Sequence, residues 1–185
     1  MKLISDLTES VEYLVEANGD SKTYRINGVF MQADVPNRNG RVYPRGIMET
    51  ALGKYQSIIE AKRAMGELGH PSGPTINLDR VSHLIENLKF QGSDVMGSAK
   101  ILDTPMGKIA KNLIDEGVKL GVSSRGLGSL KSNGKYNEVQ SDFMLNTVDI
   151  VADPSAPNAF VNSILESKEW FVTDDGRLEE QIIEQ

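Results

Sequence analysis

The order of elements predicts an α+β protein: a mostly antiparallel small β-barrel surrounded by helices. Strand-like segments come in adjacent runs instead of a regular βαβ alternation, which argues against a parallel, doubly wound sheet. Turn signals such as Asn133-Gly134 and Gln91-Gly92-Ser93-Asp94 separate neighbouring strand patterns. Helical periodicity with its own start and stop signals interrupts them at three places inside the chain. At 185 residues the chain suits one ordinary domain, or a domain plus tails.

Residues 1–20 place Leu3, Ile4, Leu7, Val11, Leu14 and Val15 at helix-like spacing among acids, and read as an acidic amphipathic arm. The segment Tyr24 to Val35 is rich in β-favouring residues and is expected to form a strand pair or one long bent strand. Pro36 to Pro44 is a turn-rich loop, with Pro44 placed as the first residue of a helix over 45–61 whose apolar positions are Ile47, Ala51, Leu52, Tyr55, Ile58 and Ile59. Gly66 to Pro74 is a constrained loop or short strand. Residues 81–90 and 94–102 form a hairpin, with Leu84, Leu88 and Phe90 on one face. Thr104 caps a helix that begins at Pro105 and stops at Gly117. Strands follow over Val118–Leu130, Tyr136–Val139 and Phe143–Val151. A last helix starts near Pro154 and runs through Leu165, and an acidic mobile tail closes the chain from 167 to 185.

Composition excludes several function classes. No apolar run approaches the roughly 20 residues that a membrane helix needs, and the opening Met1 to Asp6 is not expected to act as a secretory signal. Without cysteine there is no disulfide, thiolate metal site or cysteine nucleophile. Twenty basic residues against 26 acidic ones leave a net charge of −6, so nucleic acid is not expected as a main partner. Chemistry falls to oxygen nucleophiles and to two histidines, His70 and His83.

His70, between Gly69 and Pro71, sits on a stiff and uncrowded backbone that suits a general base; the plain reading is a loop histidine. Leu120 to Leu130 holds Ser123, Ser124, Arg125 and the glycines 121, 126 and 128. Glycine beside serine allows backbone N–H groups to approach an oxyanion closely, but no Gly-x-Ser-x-Gly elbow is present. The plain reading there is a twisted strand relieved by glycine. Glu67 and His70 have the three-residue spacing of one half of a carboxylate-bridged dimetal motif, yet the residue three before His83 is Arg80, a cation, so neither metal nor other cofactor is expected. His83 reads as a partly buried or surface strand residue. Asp149, set among β-branched residues, is costly to bury unless paired, and a histidine would meet that cost.

Taken in order, Gly28-Val29-Phe30-Met31-Gln32-Ala33-Asp34-Val35, Asn37-Arg38-Asn39, Arg41, Tyr43-Pro44, Gly66 to Pro71, Gly121 to Leu130 and Pro154-Ser155-Ala156-Pro157 resemble the prohead core (capsid maturation) serine proteases of T-even-like tailed bacteriophages. These are related in fold to the herpesvirus assemblins. The resemblance covers residues 24 to about 162 and implies a protease domain over 21–166.

It implies a serine endopeptidase that cleaves phage scaffold (core) proteins and the major capsid protein inside the prohead, in the host cell cytoplasm. Self-association is expected, with no nucleic acid or membrane partner. By position His70 is the general base and Ser123 the nucleophile, with Ser124 as the fallback. Assemblins use a second histidine as third member; this chain has none beyond His83, so an acid must substitute, Asp149 first and Glu67 as runner-up. Arg125 and Gly126 orient the site or supply oxyanion donors. The family's preference for cutting after Glu in Leu/Ile-x-Glu points to self-cleavage after Glu9, Glu16 or Glu166, in ends expected to be flexible. The rival reading is a non-catalytic head-assembly or scaffold interaction protein.

Overall fold

A computed structural model of the chain describes residues 1–8, 11–18, 21–152, 168–172 and 178–182. In chain order the strands are β1 (Lys2–Thr8), β2 (Val11–Asn18), β3 (Ser21–Gln32) and β4 (Arg41–Val42), followed by helix α1 (Arg45–Glu60). Then come β5 (Met65–Glu67), a 3-10 turn at Leu78–Arg80, β6 (Val81–Gln91), β7 (Asp94–Ile101) and helix α2 (Pro105–Asp115). β8 (Leu120–Gly128), β9 (Leu130–Ser132), β10 (Asn137–Val139), β11 (Met144–Ala152), β12 (Lys168–Val172) and β13 (Leu178–Ile182) complete the set.

The strands form three sheets, β11-β8-β1-β12-β13, β4-β10-β9 and β2-β3-β7-β6-β5. Pairing is antiparallel except between β4 and β10 and at an isolated bridge joining Leu68 to Ile150. The mixed, mostly antiparallel class agrees with the expectation. The barrel does not: no closed barrel forms among the described residues, where the sheets keep free edges and two helices lie against them.

The largest departure is at the start of the chain. Residues 2–8 and 11–18 are strands, and β1 lies inside a sheet, paired to β8 from Lys2↔Gly128 to Thr8↔Val122. Leu3, Ile4, Ser5 and Asp6 are all buried, so both faces of β1 are covered and the polar/apolar alternation that would betray a strand is missing. The helical spacing is therefore coincidental. At the other end, 168–172 and 178–182 form a hairpin that joins β1 through Lys2↔Glu169, in place of a mobile tail. The helix expected from Pro154 to Leu165 lies outside the described residues.

Smaller differences have local causes. Of the two readings of 24–35 the single long strand holds as far as Gln32, in β3, with a bulge between Val29 and Met31. Pro44 is the residue before α1, with ψ 138°, instead of its first helical residue. A bulge between Ile85 and Asn87 reverses the facing of β6, so Leu84 does not share the face of Leu88 and Phe90. The signals around α2 hold: Thr104 accepts from the Gly107 N–H, and Gly117 ends the helix at φ 80°.

Core packing fixes the two sheets that carry the site. Met48, Ala51 and Tyr55 bury one side of α1, together with Phe30, Ile85, Ile101, Val148 and Ile150 from both large sheets; each large apolar side chain so buried contributes about 1.5–3 kcal/mol. Every residue of β8 is buried. From β5 the chain reaches across to β11, where the Gly69 N–H donates to Ile150 O at 2.7 Å. His70 follows at that seam.

Candidate active site

β8 is flanked by β1 and β11. Ser123 lies opposite Asp149 on β11, and Arg125 lies opposite Thr147. Residues opposed across a sheet share a face, as do residues two apart along a strand. Ser123, Arg125, Asp149 and Thr147 therefore line one face of β8. Ser124, opposite Val148 and Asp6, belongs to the other.

The first face carries His70, whose Nδ1 is 2.9 Å from Asp149 Oδ2; Asp149 is fully buried and the His70 side chain is 13% exposed. With Nδ1 held by the carboxylate, Nε2 is the nitrogen that can take up a proton. Burial pushes the Asp149 carboxyl up, but the His70 hydrogen bond and the Arg125 charge outweigh it and hold its pKa below the ordinary aspartate value. The carboxylate also accepts from the Glu67 N–H at 3.0 Å. Glu67, the runner-up, faces other groups: Arg125 Nη2 at 2.9 Å and Asn77 Nδ2 at 3.1 Å.

Arg125 is fully buried. Its Nε donates to Asp149 Oδ2 at 2.9 Å, and Nη2 donates to Asp149 Oδ1 at 3.1 Å and to Glu67 Oε2. Nη1 donates to the carbonyls of Gly73 and Thr75 at 2.8 and 3.1 Å. A guanidinium has five N–H donors, and these five bonds engage them all. Its side chain therefore fixes both carboxylates and the loop after His70 and has no donor left for an oxyanion. Gly126 sits between Ile4 and Leu145 in the ladder, where an added Cβ would lie 2.6 Å from Met144 O; its role here is close packing.

The glycines before His70 have separate reasons. An added Cβ at Gly66 would lie 2.0 Å from His83 Nε2, and Gly69 has φ 79°. His83 is itself buried, against the expectation of a partly exposed strand residue. Its Nε2–H donates to Val148 O at 2.7 Å, and its Nδ1 accepts from the Ser82 hydroxyl at 2.7 Å. Burial lowers the His83 pKa more than the carbonyl bond raises it. Both nitrogens of the neutral ring are engaged, and the residue ties β6 to β11.

The opposite face of β8 holds a second cluster that sequence reasoning missed. Asp6 accepts from Asn39 Nδ2 at 2.7 Å, from Arg41 Nη1 at 3.2 Å and from the Tyr43 hydroxyl. Ser124 Oγ donates to Asp6 O at 3.4 Å. Burial, then the Asp6 charge, pushes the Tyr43 pKa well above its usual value. The signal was the run of polar residues from Asn37 to Arg41, whose partner Asp6 sat in a segment read as an arm.

Of the self-cleavage positions, Glu16 lies on β2 opposite Thr23, with its carboxylate 3.7 Å from Arg25 Nη1, so its backbone is paired and not a flexible end. Glu9 and Glu166 lie outside the described residues.

An imidazole bonded to a buried carboxylate, with a serine opposite that carboxylate in the sheet, presents the residue types that nucleophilic hydrolases of the serine type use. Comparison with known proteins narrows the class. Residues 7–169 match the family described as prohead core protein serine protease, and the chain belongs to that family. It is 43% identical over 142 residues to the prohead core protein protease of Enterobacteria phage T4, a match covering 74% of this chain and 66% of that protein's length. The fold matches the structure of the bacteriophage T4 capsid assembly protease, gp21, with a TM-score of 0.76 at 33% identity, covering 82% of this chain and 98% of that one.

Proposed function

We propose that this chain is a serine endopeptidase of phage head maturation, with Ser123 as nucleophile, His70 as general base and Asp149 as the carboxylate that orients it. The observation that carries the reading is the 2.9 Å contact of His70 Nδ1 with Asp149, the residue directly opposite Ser123 in the sheet. A buried carboxylate on Nδ1 selects the tautomer whose Nε2 accepts a proton and stabilises the imidazolium that results.

In the reaction Nε2 removes the proton from Ser123 Oγ as the oxygen bonds to the substrate carbonyl carbon, whose π electrons move onto oxygen. The tetrahedral intermediate collapses with loss of the amine, which takes the proton from His70, and water then releases the acyl-enzyme by the same route. The substrates are scaffold and capsid proteins inside the prohead, cut after Glu in Leu/Ile-x-Glu, and the family resemblance supports that choice. Self-cleavage after Glu9, Glu16 or Glu166 follows from the same preference; cutting after Glu16 requires the β2–β3 pairing to open first.

A fluorophosphonate probe with peptide mapping tests the assignment. Labelling is expected on Ser123, together with cleavage of a co-expressed scaffold protein that Ser123→Ala abolishes. Labelling of Ser124 instead, or undiminished cleavage by Ser123→Ala, overturns it. Intact mass of wild type beside Ser123→Ala tests self-cleavage: identical termini in both rule it out.

A further inference from the structure

We propose that Ser5, on the N-terminal strand, is a further catalytic residue whose hydroxyl donates a hydrogen bond to the oxyanion formed when Ser123 attacks. The proposal rests on the protease reading above and supplies the oxyanion donor that Arg125 cannot be.

Ser5 is 6% exposed, and its Oγ is buried with no hydrogen-bond partner among the described residues. A buried hydroxyl without a partner is destabilising and uncommon in a native fold. Its backbone is held firmly, because Ser5 O accepts from Arg41 Nη1 at 3.2 Å and from Asn39 Nδ2 at 3.3 Å. The hydroxyl is thus an unused donor on a rigid strand.

The register places it beside the nucleophile. Ser5 lies opposite Arg125, and the next residue of β8 on that face is Ser123. Ser5 and Ser123 are diagonal neighbours on one face, a relation that sets side chains about 7–8 Å apart. A carbonyl carbon bonded to Ser123 Oγ, its oxyanion, and an O–H···O contact of about 2.7 Å to a second hydroxyl fill a gap of that size. A donor that gains its partner only when charge develops stabilises the transition state more than the bound substrate, and so raises kcat and leaves KM nearly unchanged. Ser5 keeps its proton throughout; the proton from Ser123 goes to His70.

The test uses the full chain with Ser5→Ala and Ser5→Thr, read by kcat and KM on a purified scaffold substrate and by Tm. Removing one oxyanion donor costs about 100- to 1,000-fold in kcat. That loss is expected for Ser5→Ala, with KM within threefold and Tm unchanged or raised, since an unpaired buried hydroxyl is removed. Ser5→Thr restores most of kcat. A Ser5→Ala kcat within threefold of wild type overturns the proposal, and so does a loss that follows a fallen Tm and is not recovered by Ser5→Thr. If Ser123→Ala retains activity, the protease reading fails, and this proposal with it. If Ser123→Ala is dead and Ser5→Ala is active, only the Ser5 assignment fails.

Discussion

The two faces of β8 carry buried ionic clusters back to back, and they differ in one chemical respect. On the Ser123 face Arg125 binds Asp149 and Glu67, and Asp149 holds an imidazole that reaches the surface. On the Ser124 face Asp6 is bound by Arg41, Asn39 and Tyr43. Neither a guanidinium nor a phenol with a raised pKa can take up a proton near neutrality. Two adjacent serines thus have equal burial, 3% and 2%, and unequal chemistry. Strand parity, and not local sequence, decides which of them shares a face with His70 and Asp149.

The sharpest way to break this comparison is to exchange the two hydroxyls for hydrogen. Ser123→Ala is expected to lower kcat by about 10⁴-fold or more, the scale on which triad members act. Ser124→Ala, which removes the bond to Asp6 O and the hydrogen bond with Tyr43, is expected to leave kcat within tenfold. Turnover of a scaffold substrate by the two purified variants checks this, and equal losses would erase the distinction between the faces.

The next effect probes the carboxylates. Asp149→Asn keeps the shape but favours the wrong tautomer of His70, and a kcat loss of about 10⁴-fold is expected. Asp6→Ala removes the buried carboxylate shared by Arg41, Asn39 and the Tyr43 hydroxyl and is expected to cost about 3–5 kcal/mol of stability, seen as a lower urea midpoint. Turnover per folded molecule then falls far less than in Asp149→Asn. A catalytic loss in Asp6→Ala as large as that in Asp149→Asn would mean the clusters are not separate in role.

Much of this arrangement could be read from residues, and what could not has a physical cause. Helix α2 announces itself through Thr104, Pro105 and Gly117, because caps are local chemistry. The β6–β7 hairpin is equally local. His70 and Ser123 came from an ordered family resemblance, and Asp149 from the cost of burying a lone acid. β1 was hidden because a strand covered on both faces loses its alternation, and the spacing of its apolar residues happened to fit a helix. That no barrel closes among the described residues was illegible because sheet edges are set by pairing between distant segments, as in Lys2 with Glu169. The same holds for Arg125: five acceptors drawn from Glu67, Gly73, Thr75 and Asp149 leave no trace in its immediate sequence.

The smallest expected effect is the pH dependence that His83 adds to stability. His83 is buried and neutral with a lowered pKa, whereas in the unfolded chain a histidine titrates near about 6.5. Below that pH the unfolded state binds the extra proton, so the stability His83 contributes is complete above about pH 6.5 and declines as pH falls toward the folded value. Asp149, also lowered by its partners, acts further down: its contribution is present above the ordinary aspartate value of about 3.9 and is lost as pH falls through the folded one. Thermal unfolding of wild type and His83→Gln between pH 8 and 5 checks the upper window. The variant has no ring to protonate, so its Tm is expected to fall less steeply below pH 6.5. The difference amounts to about 1 kcal/mol by pH 5.5, one pKa unit below the unfolded value. Parallel curves would mean that His83 takes up its proton inside the fold, which its bonds to Val148 O and the Ser82 hydroxyl oppose.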